Sequence, residues 1–229
     1  MKKVSQVKGY QRRNKNGTVT TVKPHSRKVD VGVEPKVDPE ALLYDLFGYA
    51  GGSLLHSVNE NGVFSQNQFG KAILLGLSSD EGYQGMLEKV KTSSKAKYAV
   101  KVADAFIGRN GDTPCKGLYS GCPLSEATFK KLLKSGKVDL SCGLPVYTTP
   151  LKDKAIGFSG YLAEPNSVRC VFEVVEGNVK GNSKHFSKHI DEQEVCFKST
   201  TKVTMVGKPE VIGEGSEDKY YHIKVKFAE

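Results

Sequence analysis

Asp191-Glu192-Gln193-Glu194-Val195-Cys196-Phe197, followed by Thr201-Lys202-Val203, is the stretch on which the reading of this chain turns. Two glutamates stand two residues apart just before a short apolar run. In extended backbone, residues i and i+2 point to the same side. Glu192 and Glu194 would then share one face. If that face lines a cleft, the two carboxylates can divide the work on a glycosidic carbon. One stabilises an oxocarbenium-like centre and holds a ribose hydroxyl; the other orients or deprotonates the incoming nucleophile. The alternative is a solvated acidic pair on a surface strand, because the chain carries 25 Asp and Glu in all. Two earlier stretches stand in order before this one. The first is Leu118-Tyr119-Ser120-Gly121, with a helix opening at Leu124-Ser125-Glu126. The second is Val146-Tyr147-Thr148-Thr149, with Ala155 and Phe158 in the helix that follows.

Around these stretches the pattern divides the chain. Asp38-Pro39-Glu40 is a helix start: an Asp cap, Pro at the first helical position and an acid in the first turn. Helix is expected over 41–49, halted by Gly51-Gly52, then over 66–77. A third, longer helix is expected from Ser79-Asp80-Glu81 toward Phe106. A loop covers 108–114. Strands are then expected over 117–121, 144–149, 168–175, 194–197, 202–206 and 220–227, with helices at 125–133 and 152–162. In the last strand Tyr221, Ile223, Val225 and Phe227 should face the core, and His222, Lys224 and Lys226 the solvent. Helices come first and most strands later, which is an α+β plan and not an alternating parallel sheet. No G-x-G-x-x-G or Walker loop is present. The organisation expected is a basic, flexible arm over 1–38 and one domain over 39–229. That domain has a helical part, 39–112, and a sheet part bearing the motifs, 113–229.

In order and spacing, the segment 116–206 resembles the mono-ADP-ribosyltransferases of the Arg-Ser-Glu type, found among clostridial binary toxins and phage-encoded transferases. Their pattern is a strand carrying Arg-Gly, a later strand carrying Ser-Thr-Ser, and a loop ending in Glu-x-Glu. The helix 124–133, the stretch Lys154-Ala155-Ile156-Gly157-Phe158 and the block Glu194-Val195-Cys196-Phe197 fit it. The resemblance implies N-terminal helices packed on a mixed, two-sheet core. It implies NAD as the substrate that donates ADP-ribose, and an acceptor protein. Glu194 would be the catalytic glutamate. Glu192 would position the acceptor side chain, an arginine when that position is Glu. Tyr119, Ser120, Gly121, Tyr147, Thr148, Thr149 and Phe158 would line the NAD site, Gly121 offering backbone groups to the nicotinamide amide. Phe186, His189 and Ile190 would belong to the loop facing the acceptor. Two positions depart from the pattern. The Arg falls on Ser120, and the first Ser falls on Tyr147, with Thr148 and Thr149 completing that motif. Losing a charge-assisted contact to an anionic dinucleotide is expensive, and Arg169, Lys116 and Lys180 are candidates to replace it. Because of these departures a second reading stands beside the enzyme: a transferase fold without catalysis, acting as a binding or virion-associated protein. A third is a nucleic-acid-binding α+β protein whose motif match is accidental.

The 229 residues carry a net charge of +9, with 38% hydrophobic residues, enough for a packed core. The charge is uneven: residues 1–38 hold ten basic and three acidic side chains, the rest of the chain 24 and 22. Such an arm suits nucleic acid or another acidic surface through phosphate neutralisation, or serves only to solubilise. An Asn16-Gly17 hairpin between Tyr10 and Val22 is expected within it. No apolar run approaches the ~20 residues that cross a bilayer, and no apolar segment follows the basic start, so action in the cytoplasm is expected. That includes a host cytoplasm reached by phage or toxin delivery. The five cysteines, Cys115, Cys122, Cys142, Cys170 and Cys196, show no C-x-x-C spacing and are expected as reduced, partly buried thiols. His185 and His189 lack a third ligand at metal-site spacing, so no metal is expected.

Overall fold

The computed structural model describes residues 2–7, 10–13, 19–22, 25–30, 38–48, 54, 66–161, 165–183 and 190–229. The chain divides into two compact units, Met1–Asp38 and Pro39–Glu229. In the first, β1 (Lys2–Val7) pairs with β4 (His25–Asp30), and β2 (Tyr10–Arg13) with β3 (Val19–Val22), both antiparallel. The register Tyr10↔Val22 to Arg13↔Val19 is that of the expected hairpin. The segment read as a flexible arm therefore contains two strand pairs.

The second unit opens with helices. In α1 (Pro39–Phe47), Leu42, Leu43 and Leu46 are buried, and the helix ends at Gly48, whose φ of 64° is the left-handed conformation of a C-terminal cap. The Lys89 ammonium donates to the carbonyls of Asp45 and Leu46, satisfying the last turn of α1. α2 (Gln66–Leu77) buries Phe69, Ala72, Ile73, Leu74 and Leu77. The single long helix expected next is two: α3 (Asp80–Thr92) and α4 (Ser94–Asn110). Ser93 makes the break. Its backbone is extended, its N–H closes α3 on the Lys89 carbonyl, and its hydroxyl accepts from the Ala96 N–H as the cap of α4. The apolar period alone ran through this joint.

Strand-rich structure follows: β5 (Thr113–Pro114), β6 (Tyr119–Ser125), α5 (Glu126–Ser135), β7 (Lys137–Val138), β8 (Val146–Thr148) and α6 (Lys152–Gly160). Then come β9 (Ser167–Gly177), β10 (Lys180–Gly181), a 3-10 turn (Ile190–Glu192), β11 (Val195–Phe197), β12 (Lys202–Met205), β13 (Glu210–Ile212) and β14 (Tyr220–Ala228). The main sheet runs β6-β9-β14-β12-β7, with β13 also on β14; β9 and β14 are parallel and the other pairs antiparallel. β8 with β11, and β5 with β10, form smaller antiparallel pairs.

One core joins these pieces. Phe172, Val174, Ile223, Val225 and Phe227 of the main sheet pack with Val146, Val195 and Phe197 of the small sheet and with Phe129 and Leu132 of α5. The opposite face of the main sheet takes α6, through Ala155 against Val171 and Tyr220. Within β14 the expected alternation holds for Ile223, Val225 and Phe227 inside and for Lys224 and Lys226 outside. It fails at His222, which is buried with its Nε2 2.9 Å from a Glu173 carboxylate oxygen on the neighbouring strand. The start of β14 is enclosed on the second face as well, so His222 there meets a carboxylate, while Lys224 and Lys226 farther along stay exposed. The α+β architecture with helices ahead of a mixed sheet core is the one expected.

Candidate active site

β8 and β11 bring the second and third stretches side by side, with Val195 opposite Thr148, Cys196 opposite Tyr147 and Phe197 opposite Val146. The aliphatic members enter the core, while Tyr147 and Cys196 share the other face. The Thr148 hydroxyl donates to the Val195 carbonyl at 2.9 Å. The Thr149 hydroxyl, 2% exposed, donates to the Glu192 carbonyl at 2.6 Å and accepts from the Leu151 N–H at 3.0 Å. Both threonines therefore fasten the backbone of the acidic turn. The hydroxyl of each makes these contacts, and β-branching suits the side chain to the strand.

The first stretch joins through Tyr119. Its N–H donates to the Thr149 carbonyl at 2.7 Å, and the Thr149 N–H donates back at 2.8 Å. Along an antiparallel ladder, successive residues turn their backbone groups to opposite edges. Tyr119 faces Thr149, so Ser120 turns toward Phe172 on β9 and Gly121 turns back to the Thr149 side. Gly121 lies directly beneath α6: a Cβ there would sit 1.7 Å from the Ala155 carbonyl oxygen. Ser120 shares the face of Cys122 and Leu124, toward the main core.

The alternation argued for the two glutamates does not hold. Glu192 ends the 3-10 turn, Gln193 adopts a φ of 49°, and extended backbone begins only at Val195. The pair is presented by a turn, not by a strand, because a turn is needed to bring the chain down onto Thr149. Both glutamates are half-buried, and Glu194 Oε2 is fully so. Asp191, exposed, takes an ion pair from Lys154 of α6 at 2.6 Å. The Lys154 ammonium is held above its ordinary pKa by the hydrogen bond and charge of Asp191, with a further contribution from Glu192.

Tyr147 stands where the sequence resemblance leads one to expect the motif's first serine. Its hydroxyl donates to the Leu74 carbonyl of α2 at 3.4 Å, and its ring meets Tyr83 of α3 edge-on, centroids 6.1 Å apart. Burial, then the proximity of Cys196 and Glu194, push the Tyr147 phenol well above its ordinary value. Burial does the same to Tyr83 and, with the Glu194 charge, to Cys196. Both phenols and this thiol are therefore neutral at physiological pH. Phe158 is half-buried on α6. Phe186 and His189 lie outside the described residues, and Ile190 opens the 3-10 turn.

The cations suggested as substitutes for the missing arginine are placed elsewhere. Arg169 reaches the Ile156 and Glu217 carbonyls and lies 3.6 Å from Asp218, on the α6 face of the sheet. Lys116 is exposed in the turn before β6, and Lys180 pairs with Pro114. Tyr83, Lys154 and Asp191 were not picked out by sequence. Lys154 had a signal in its place within the quoted helix stretch; Tyr83 had none beyond being aromatic. Among the described residues no group of three His, Cys, Asp or Glu could hold a metal, and no helix is long and apolar enough to cross a membrane.

Neither a family model nor a curated protein matches the sequence. Solved structures do. The Vis toxin, an ADP-ribosyltransferase from Vibrio splendidus, aligns over 86% of this chain and 89% of its own at 18% identity, with a TM-score of 0.51. The ADP-ribosyltransferase HopU1 of Pseudomonas syringae aligns over 82% and 96% at 10% identity, TM-score 0.54. Exoenzyme S from Pseudomonas aeruginosa, solved with human 14-3-3 protein beta and carba-NAD, aligns over 82% and 86% at 11% identity, TM-score 0.52. The chain has the mono-ADP-ribosyltransferase fold.

Proposed function

We propose that this protein is an NAD-dependent mono-ADP-ribosyltransferase that transfers ADP-ribose to a protein side chain, arginine first, with release of nicotinamide. One observation carries the reading: in this fold, the Glu192–Glu194 turn is fastened by Thr148 and Thr149 beside the edge of β6 that bears Gly121. Glu194 holds a ribose hydroxyl and stabilises the positive charge that grows on the ribose as the glycosidic bond breaks. Glu192, on the exposed turn, orients the acceptor guanidinium through a paired, charge-assisted contact. The Gly121 N–H and C=O, turned to the Thr149 side, suit a primary amide, which needs one acceptor and one donor. Phe158 and Tyr119 border the same site from α6 and β6. Ser120, whose side chain shares the face of Cys122 and Leu124, brings no charge where an arginine would. Residues 1–38, strongly basic, suit an acidic surface on the acceptor or a nucleic acid beside it.

The test uses labelled NAD, purified full-length protein and two acceptors, agmatine and a cell lysate. Agmatine is chosen because it carries a bare guanidinium and because Vis was solved in complex with it. Nicotinamide release in wild type, abolished in Glu194→Gln, is expected. Glu192→Gln should retain NAD cleavage and lose transfer to agmatine. No release under any condition would replace this reading with a non-catalytic binding protein, which Ser120 and Tyr147 favour.

A further inference from the structure

NAD brings two phosphate charges to a site that already holds three carboxylates, Asp191, Glu192 and Glu194, within four residues. A compensating cation is required, and neither Ser120 nor Arg169 supplies it. Four contacts close a ring around the candidate site. Tyr119 pairs with Thr149; Thr149 holds Glu192; Asp191, next to it, holds Lys154; and Ala155, next to Lys154, lies on Gly121 of the Tyr119 strand. Lys154 is thus the residue of α6 that faces the acidic turn, with Phe158 one helical turn along the same side. Its ammonium is partly exposed, so an arriving anion can reach it.

On the reading proposed above, we infer that Lys154 is the phosphate-binding and turn-releasing residue of this transferase: it leaves Asp191 for the NAD diphosphate, freeing the turn that carries Glu192 to meet the acceptor. Each state keeps the ammonium paired. Without NAD its partner is a carboxylate 2.6 Å away; with NAD its partner is the diphosphate, whose two linked phosphates together offer more acceptor oxygens and more charge than one carboxylate. The exchange makes binding of the two substrates ordered. NAD comes first, because the acceptor-facing turn is tied to α6 until the ammonium is drawn away. Lys154 acts on the chemistry only through this contact and is a positioning residue.

Calorimetric titration of the full-length protein with NAD, ADP-ribose and nicotinamide riboside tests this without requiring turnover. Lys154→Ala should weaken NAD and ADP-ribose by about five- to tenfold and leave nicotinamide riboside, which has no phosphate, unchanged. Lys154→Arg should restore most of the loss. Asp191→Asn removes the competing carboxylate and should tighten NAD by about threefold. A purely structural ion pair predicts the opposite for Asp191→Asn, a weaker site, and that result overturns the inference. So does equal NAD affinity in wild type and Lys154→Ala. Wild type that binds no NAD at all removes the transferase reading itself, and with it this one. Melting temperatures of each variant show that loss of affinity is not loss of fold.

Discussion

Gly121→Ala tests the close approach of α6 to β6. The added Cβ would lie 1.7 Å from the Ala155 carbonyl oxygen, 2.7 Å from its carbon and 2.9 Å from the Ser159 nitrogen. A carbon and an oxygen rest at about 3.3–3.6 Å, so strand and helix must part by roughly 1.5 Å. All three blocking atoms are backbone, so no rotamer change relieves the clash. α6 is a nine-residue helix seated on the sheet by Ala155 and Ser159, both 0% exposed. Overpacking of this kind costs about 1–3 kcal/mol where side chains yield and more where backbone must move. A cost of about 3–5 kcal/mol, at roughly 2–4 °C per kcal/mol for a domain of this size, lowers the melting temperature by on the order of 10 °C. The lifted helix also carries Lys154 away from the edge of β6 that bears Gly121, so NAD affinity should fall along with stability. Thermal unfolding by circular dichroism and NAD titration below the transition give the two readings. A Gly121→Ala protein melting within about 2 °C of wild type would refute the claimed contact and the seat of α6 on this strand.

Thr149→Val leaves the Glu192 carbonyl and the Leu151 N–H without their hydroxyl partner and should cost about 2–4 kcal/mol; amide exchange across 190–195 should quicken while Thr149→Ser stays near wild type. Tyr147→Ser, which restores the motif's serine, should destabilise by about 3–5 kcal/mol through the lost ring volume, whereas Tyr147→Phe costs less than about 1 kcal/mol; denaturant midpoints separate the two. Burial raises the Asp104 carboxyl above its ordinary value although Ser199 donates to it twice. Its contribution to stability is therefore fully present below the unfolded pKa and is lost as pH rises through the folded one, and Asp104→Asn should flatten the melting-temperature profile in that acid window. A thiol reagent applied to native protein should modify exposed Cys142 first, with Cys115, Cys170 and Cys196 protected until unfolding.

The elements of the sheet part were legible because their signals were local. Ser125 announces α5 by the cap it makes, and the residues from Val168 to Val175 are rich in β-branched and aromatic side chains, with Cys170, Val171 and Phe172 buried in succession as in a strand covered on both faces. The two glutamates were legible as a pair because their spacing to the Thr148-Thr149 stretch matched a known order. What was missed depends on contacts between distant segments. The 3-10 turn before Gln193 exists because the Glu192 carbonyl must reach Thr149, 43 residues earlier. The break at Ser93 was hidden because the apolar positions on either side continue one helical period. His222 was misassigned because alternation says which residues share a face, and says nothing of what covers it. Lys154 and Tyr83 acquire meaning only from their partners, Asp191 and Tyr147.

The Tyr147 hydroxyl on the Leu74 carbonyl is a mechanical joint between the helical layer and the strand that fastens the acidic turn. Sliding α2 along its axis would drag β8, and through the pairing of Tyr147 with Cys196 it would drag β11 and the glutamate that precedes it. The helices ahead of the sheet are thus a lever. A substitution that shifts α2, whose residues 68–77 are all buried or half-buried, therefore reaches Glu194 through the backbone.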